Sequence, residues 1–244
     1  MTVCSNFATS NRQPRGSRIA RKDVGSNITL KIIMANYMLS DYVIEGKKAE
    51  IDEFEAMLRR LEAMKEKDFP IKDVSWGSKW LGFIINELGQ DWNGYNCKGA
   101  WYDLERRGDD ALAITFESAW TAPEDMLALI AEKWPSFKYY FYREEPGSEV
   151  YETNDVEGKY FPRRYYLRGI VPSDSEEAED GLLEFDEYLN TEEDALAYMC
   201  DKLNHPVKSI DDIEAWNEDL ENLAEENDDY CDCYIWVNKI DVLH

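Results

Sequence analysis

Two hydrophobic rhythms alternate along the chain from Met34 onward. "MANYMLSDYVIEG" reads as a first strand. Ile51, Phe54, Leu58 and Leu61 then follow 3-4-3 spacing, with Met57 and Met64 beside them, which predicts a helix over 47–66 ended by Pro70. Leu81, Ile84, Ile85 and Leu88 predict a shorter helix over 78–88, with Gly89 where a left-handed cap belongs. The rhythm next shifts to period two. Residues 92–120 read as two strands around a turn near Gly108-Asp109, and Leu112, Ile114 and Phe116 alternate with Ala113, Thr115 and Glu117. Such alternation predicts one buried face and one wet face. Thr121 with Glu124 three residues later reads as a capping box for a helix that buries Met126, Leu127, Ile130 and Trp134. Pro123 is tolerated in the first turn, and Pro135 stops the helix. "FKYYFYRE" is the next strand, and Glu145-Pro146-Gly147 turns it toward "SEVYET".

The remainder predicts further mixed structure. Residues 159–171 read as a strand whose Pro162 places its start at an edge. "SDSEEAEDG" is an acidic loop and "LLEFDEYLN" a strand. Thr191 caps a helix carrying Leu196, Met199 and Leu203, and Pro206 breaks it. Ser209, with Asp212 three residues later, opens another helix whose stripe is Ile213, Trp216, Leu220 and Leu223. "YCDCYIWVNKI" closes the pattern as a strand, with Cys231 and Cys233 on the face of Ile235 and Val237. Residues 1–33 lack apolar periodicity and the h-region of a signal peptide, so a disordered basic tail or a mis-assigned start before Met34 is expected; a basic arm for nucleic acid is the sharper alternative.

Charge narrows the function. The 244 residues carry 51 acids against 27 Lys and Arg, a formal balance of −24. Direct nucleic-acid binding needs a basic footprint, and anionic membranes repel such a chain. No apolar run approaches the roughly 18–20 residues that span a bilayer. The imbalance is local: residues 173–232 hold 23 acids and two lysines, whereas 1–33 hold six basic residues and one acid. Five cysteines at irregular spacing suit reduced thiols in a cytoplasm better than a disulfide framework. With only His205 and His244, no metal set and no Ser-His-Asp arrangement around Ser118 is expected. No phosphate-cradling glycine motif is present, and no cofactor is implied.

Four spaced elements carry a resemblance: Ala100-Trp101-Tyr102-Asp103, Ser118-Ala119-Trp120-Thr121-Ala122-Pro123, Lys133-Trp134-Pro135 and Glu144-Glu145-Pro146-Gly147. Over about 34–150 the chain resembles the ferredoxin-like domain of the YubB-like family, uncharacterised proteins of phages, plasmids and other bacterial mobile elements. Tyr37-Met38 stands where that family commonly has Trp-Cys. The resemblance implies an α+β sandwich, an antiparallel sheet with helices on one face. It transfers no activity and no catalytic residues.

The expected organisation is a tail at 1–33, a ferredoxin-like domain at 34–155 and an acidic α+β portion at 156–244 that either extends the sheet or forms a small second domain. Trp120 is expected to pack the helix start on the sheet, while Ser118 and Thr121 satisfy backbone groups. Glu144 and Glu145 read as a solvated turn. Eight Trp and fifteen Tyr exceed what a core of this size absorbs, so some rings should reach the surface as interface anchors. Trp92, Tyr95, Trp101, Asp103, Trp120, Tyr140, Tyr142, Glu144 and Glu145 are the candidate binding residues. The leading expectation is a non-enzymatic protein that engages a basic protein surface, with a DNA mimic as one form of it. The alternative is a small-ligand binder or enzyme using an aromatic cleft around Trp92, Trp101 and Trp120.

Overall fold

The 3-4-3 stripe and the alternating segments become the expected elements in the computed structural model, which describes residues 36–72, 74–179, 181–226 and 233–244. The segment 1–33 and Cys231 lie outside the described residues. The fold is mixed α+β. Strand β1 (Tyr37–Glu45) leads to helix α1 (Lys48–Glu62), then α2 (Leu81–Glu87), the hairpin β2 (Gly99–Arg107) and β3 (Ala111–Ala119), helix α3 (Glu124–Lys133) and strand β4 (Lys138–Glu145). Gly108 turns the hairpin at φ 69°, where a side chain would be strained. β1 lies between β3 and β4, and β3 between β1 and β2, all in antiparallel register.

The short β5 (Val150–Thr153) pairs with β4, and the terminal β9 (Asp241–Val242) pairs in parallel with β5, giving a six-stranded order β2-β3-β1-β4-β5-β9. A second, three-stranded sheet has β6 (Tyr165–Pro172) between β7 (Leu182–Leu189) and β8 (Tyr234–Lys239). Helices α4 (Glu192–Leu203) and α5 (Ile210–Glu226) join β7 to β8.

Period two decides which side chains each face buries. Tyr42 and Ile44 of β1, Leu112, Ile114 and Phe116 of β3, and Trp101 of β2 pack against Phe54 and Leu58 of α1, Ile84 of α2, and Ile130 and Trp134 of α3. Each such burial contributes about 1.5–3 kcal/mol. Leu167, Phe185, Met199, Ile213, Leu220 and Ile235 form the second core, with Cys233 and Val237 packed against it as the alternation predicts. A tyrosine layer of Tyr142, Tyr151 and Tyr166, closed by Ile240, joins the two sheets.

The caps separate two kinds of signal. Thr191 caps α4 by accepting the Asp194 N–H at 3.1 Å, and Ser209 accepts the Asp212 N–H at 3.2 Å while the Asp212 carboxylate accepts the Ser209 N–H. Thr121 does not cap α3. The helix starts at Glu124 with Pro123 before it, and the Thr121 hydroxyl accepts instead from Asn96 at 3.1 Å. The strand expected at 159–171 begins only at Tyr165, because Asp155 gathers the N–H groups of Lys159, Tyr160 and Phe161 into a closed loop.

Asn217 of α5 both donates to and accepts from the Ile235 backbone, each at 2.7 Å, so its amide imitates a neighbouring strand at the open edge of β8. Asn217→Ala should therefore lower stability by about 1–3 kcal/mol, read as a shifted urea midpoint with an unchanged slope.

Candidate functional site

Helices cover one face of the large sheet, and the other is covered only in part. Register places Tyr37, Leu39, Asp41, Val43 and Glu45 of β1 on this second face, beside Ala113, Thr115 and Glu117 of β3. The loop after β5 covers its lower half: Val43, Ala111 and Ala113 pack under Tyr140, Tyr160 and Phe161. The second sheet covers the β4–β5 side through Tyr142 and Tyr188. What stays open is a strip across β2, β3 and β1.

A bulge shapes that strip. Register shifts between Tyr102 and Glu105, so both side chains, three residues apart, fall on the same open face opposite Thr115 and Ala113. Asp103, inside the bulge, adopts φ 52°, a left-handed conformation that Asp tolerates better than most residues. A groove of about 400 Å³ runs along the strip, with Asp41, Asp103, Glu105 and Arg107 on one wall and Tyr160 and Arg163 on the other. Thr115 donates to the Asp41 carboxylate at 2.6 Å and fixes its direction. Arg107 approaches Glu105 at 3.5 Å. Asp103 and Glu117 form no ion pair among the described residues.

The far wall is tied down. Lys159 and Tyr160 both donate to Glu45, and those two hydrogen bonds, Lys159 first, hold its carboxyl below the usual range. Beyond the groove the open strip ends in apolar side chains: Tyr37 is 42 % exposed, Leu39 38 % and Tyr102 37 %; Trp120, just past the end of β3, is 58 % exposed. Burial first, and then the charge of Glu117, push the Tyr102 phenol up, so it stays neutral and able to donate.

The nine sequence candidates scatter over several environments. Only Asp103 lines the groove. Trp101 is sealed in the core with no exposed surface, and Trp92 packs edge-on against Trp80 at 5.0 Å between ring centres. Tyr95 is half-buried against the same core. Trp120 does not pack the helix start on the sheet. At φ 69° it stands outward, its N–H bonded to the Asn36 carbonyl, while Ser118 does donate to the Thr121 carbonyl at 2.7 Å. Trp92 and Trp101 thus belong to the helix-side core while Trp120 is exposed, and the three indoles do not line one cleft.

Tyr140 meets Tyr160 edge-on at 5.2 Å under the loop. Tyr142 is buried between the sheets, where it and Tyr188 both donate to Glu144, at 2.8 and 2.6 Å. Glu144 and Glu145 are not a solvated turn. Glu144 bridges two tyrosines, and Glu145, 3 % exposed, accepts the Gly147 N–H at 3.1 Å. The residues that sequence reasoning passed over are Tyr37, Leu39, Asp41 and Tyr102. Alternation in "YMLSDYVIE" separates Tyr37, Leu39 and Asp41 from Met38, Ser40 and Tyr42; which set stays uncovered depends on elements more than a hundred residues away.

Among the described residues no group of three or more His, Cys, Asp or Glu side chains is placed to hold a metal ion, and no helix is long and apolar enough to cross a membrane. No family model, curated protein or solved structure matches the chain.

Proposed function

We propose that the protein is a non-enzymatic interaction protein that docks a basic protein surface on the open strip of its large sheet. The observation that carries this reading is the coincidence of exposed apolar anchors with acids that form no ion pair among the described residues: Tyr37, Leu39 and Tyr102 lie on the same open strip as Asp41, Asp103 and Glu117, with Trp120 exposed just past the end of β3, on a chain of net charge −24. Rings and aliphatic side chains supply the desolvated centre of an interface, while the acids steer a cationic partner and reject nucleic acid. The β1-α1-β2-β3-α3-β4 order, with antiparallel pairing β2-β3-β1-β4, supports reading residues 37–145 as a ferredoxin-like unit, which the resemblance to the YubB-like family implies. Proteins of mobile elements commonly act on host proteins, and a cytoplasmic setting suits five cysteines at irregular spacing.

A DNA mimic is the second form of the same reading. It would use the exposed acids Asp211, Glu218, Asp219 and Glu221 of α5 instead of the sheet strip. Two variants separate the forms. The full chain, immobilised, should retain basic proteins from a bacterial lysate at low salt and release them at high salt. Leu39→Ala with Tyr102→Ala should weaken that capture about tenfold or more, since two anchors of this kind each contribute above about 1 kcal/mol. Neutralising the four α5 acids should leave it nearly unchanged. The reverse pattern would favour the mimic. Capture insensitive to both sets, or to salt, would overturn the docking reading.

A further inference from the structure

The edges of the two sheets are closed by different devices, and one is left open. In the large sheet, β2 is kinked by its bulge between Tyr102 and Glu105, and Trp80 bridges its Ala100 from outside. At the opposite edge β9 is only two residues long. In the small sheet Asn217 occupies the outer side of β8. Strand β7 is the other edge of that sheet. It runs eight residues in unbroken antiparallel register with β6, and "LLEFDEYL" contains no Pro and no Lys. Long edge strands usually carry a bulge, a Pro, a Lys or a cover, because their free N–H and C=O groups are a template for another strand.

Alternation shows which groups of β7 point outward. Leu182 exchanges both backbone hydrogen bonds with Glu179, away from β6, at 2.9 Å each, and the Tyr188 N–H turns to the Glu187 carboxylate at 3.3 Å. Gly181 and Leu189, one step out of phase, give their carbonyls to Ser173 and Arg164 on the β6 side. Glu184 and Asp186 share the phase of Leu182 and Tyr188. Their N–H and C=O groups therefore point away from β6, and no hydrogen bond reaches them among the described residues.

The side chains define the strand that fits. Glu184 and Asp186 are exposed on one face of β7, and Glu187 is exposed on the other. Asp186 accepts the Tyr166 hydroxyl at 3.0 Å and stands across the ladder from Arg168, whereas Glu184 stands across from Ile170. A second copy of the chain is a poor occupant. Pairing β7 with itself sets these acids against each other, and like charges directly opposite are destabilising. A strand with a basic residue at every second position matches instead. Opposite Glu184 and Asp186, those residues would exchange paired backbone hydrogen bonds with β7 while their side chains meet the two carboxylates. The intervening side chains would fall on the α4 side, where the half-buried Tyr198 packs edge-on against Phe185 at 6.0 Å. We propose that β7 is a docking edge that receives an extended basic segment of a partner protein as a fourth strand of the three-stranded sheet. This edge belongs to the other sheet from the open strip, so either reading can fail alone.

The probe is an end-capped, fluorescent heptapeptide alternating lysine and valine, with lysine at both ends, titrated with the full chain at physiological salt and read by anisotropy. In such a strand the lysine N–H groups lie on one edge and the valine N–H groups on the other, so N-methylating one set blocks one edge without changing the charge. Binding should be saturable. Methylation at lysine should weaken it about tenfold or more, and methylation at valine should change it by less than about twofold. Glu184→Pro removes an N–H that points away from β6 and puts a ring on the edge, so it should weaken the unmethylated peptide about tenfold or more. Glu184→Lys, which leaves the backbone intact, should act in the same direction through charge. Leu39→Ala with Tyr102→Ala should leave peptide binding unchanged. Equal affinity for the two methylated peptides would reveal attraction by net charge alone and overturn the proposal. No saturable binding, binding indifferent to both Glu184 variants, or a dimer of the chain that sedimentation shows Glu184→Pro to dissolve would each overturn it as well.

Discussion

Asp155→Ala is expected to lower stability by about 3–5 kcal/mol, near the top of the range for single substitutions. Asp155 is 1 % exposed, and its carboxylate accepts the N–H groups of Lys159 at 3.0 Å, Tyr160 at 2.6 Å and Phe161 at 2.9 Å. Its own carbonyl accepts from Gly158 at 3.1 Å and from Arg164 at 2.8 Å. Alanine leaves three loop donors without their acceptor, and the loop supplies Tyr160 and Arg163 to the sheet-face groove. Urea unfolding should show the loss, and capture of a basic partner should fall with it. Asp155→Asn keeps one acceptor oxygen and should cost less.

The pH dependence of this contribution has a defined sign. Burial acts to raise the Asp155 carboxyl, but the three backbone donors, with Arg164, outweigh it and hold the group below the ordinary range. A carboxyl lowered in the folded state binds its proton more tightly when unfolded. Its stabilisation is therefore full above the unfolded value of about 4 and is lost as pH falls through the lower folded value. The stability gap between the parent and Asp155→Asn should be widest near neutrality and narrow below about pH 4. A gap that stays constant down to pH 2 would contradict the assigned role.

Trp101→Ala should cost about 3–5 kcal/mol through the cavity it leaves. Trp101 is fully buried, pairs across the hairpin with Phe116, and lies under the Lys79 ammonium at 5.2 Å. Its indole N–H has no partner. Trp101→Phe keeps most of the packing and removes that unpaired group, so it should cost far less. It should also leave partner capture intact, since the ring faces the helices and not the open strip. Loss of capture in a well-folded Trp101→Phe protein would return this residue to the binding surface.

Local signals and long-range ones divided cleanly. Helices α1 and α2 were legible because 3.6-residue periodicity is written into neighbouring positions. The Ser209–Asp212 box and the Thr191 cap were legible for the same reason: each closes within one turn. Thr121 carried an equally good local signal and was diverted, because Asn96, 25 residues earlier, engages its hydroxyl. Trp120 was expected inside and is 58 % exposed, at a left-handed backbone position that breaks the alternation of β3. A strand was expected from 159 with Pro162 near its edge start, but the carboxylate of Asp155 binds that segment as a loop and the strand begins at Tyr165.

For the candidate site, composition by itself established that the protein is strongly acidic and rich in rings. Period two established that β1 and β3 each have two chemically distinct faces. Only the tertiary structure decided which face of each stayed open. That choice rests on the loop at 154–164 and on the second sheet, whose Tyr188 reaches across 44 residues to Glu144. Coverage of a surface is a property of everything packed against it, and a strand's own residues state only what that surface would be if left bare.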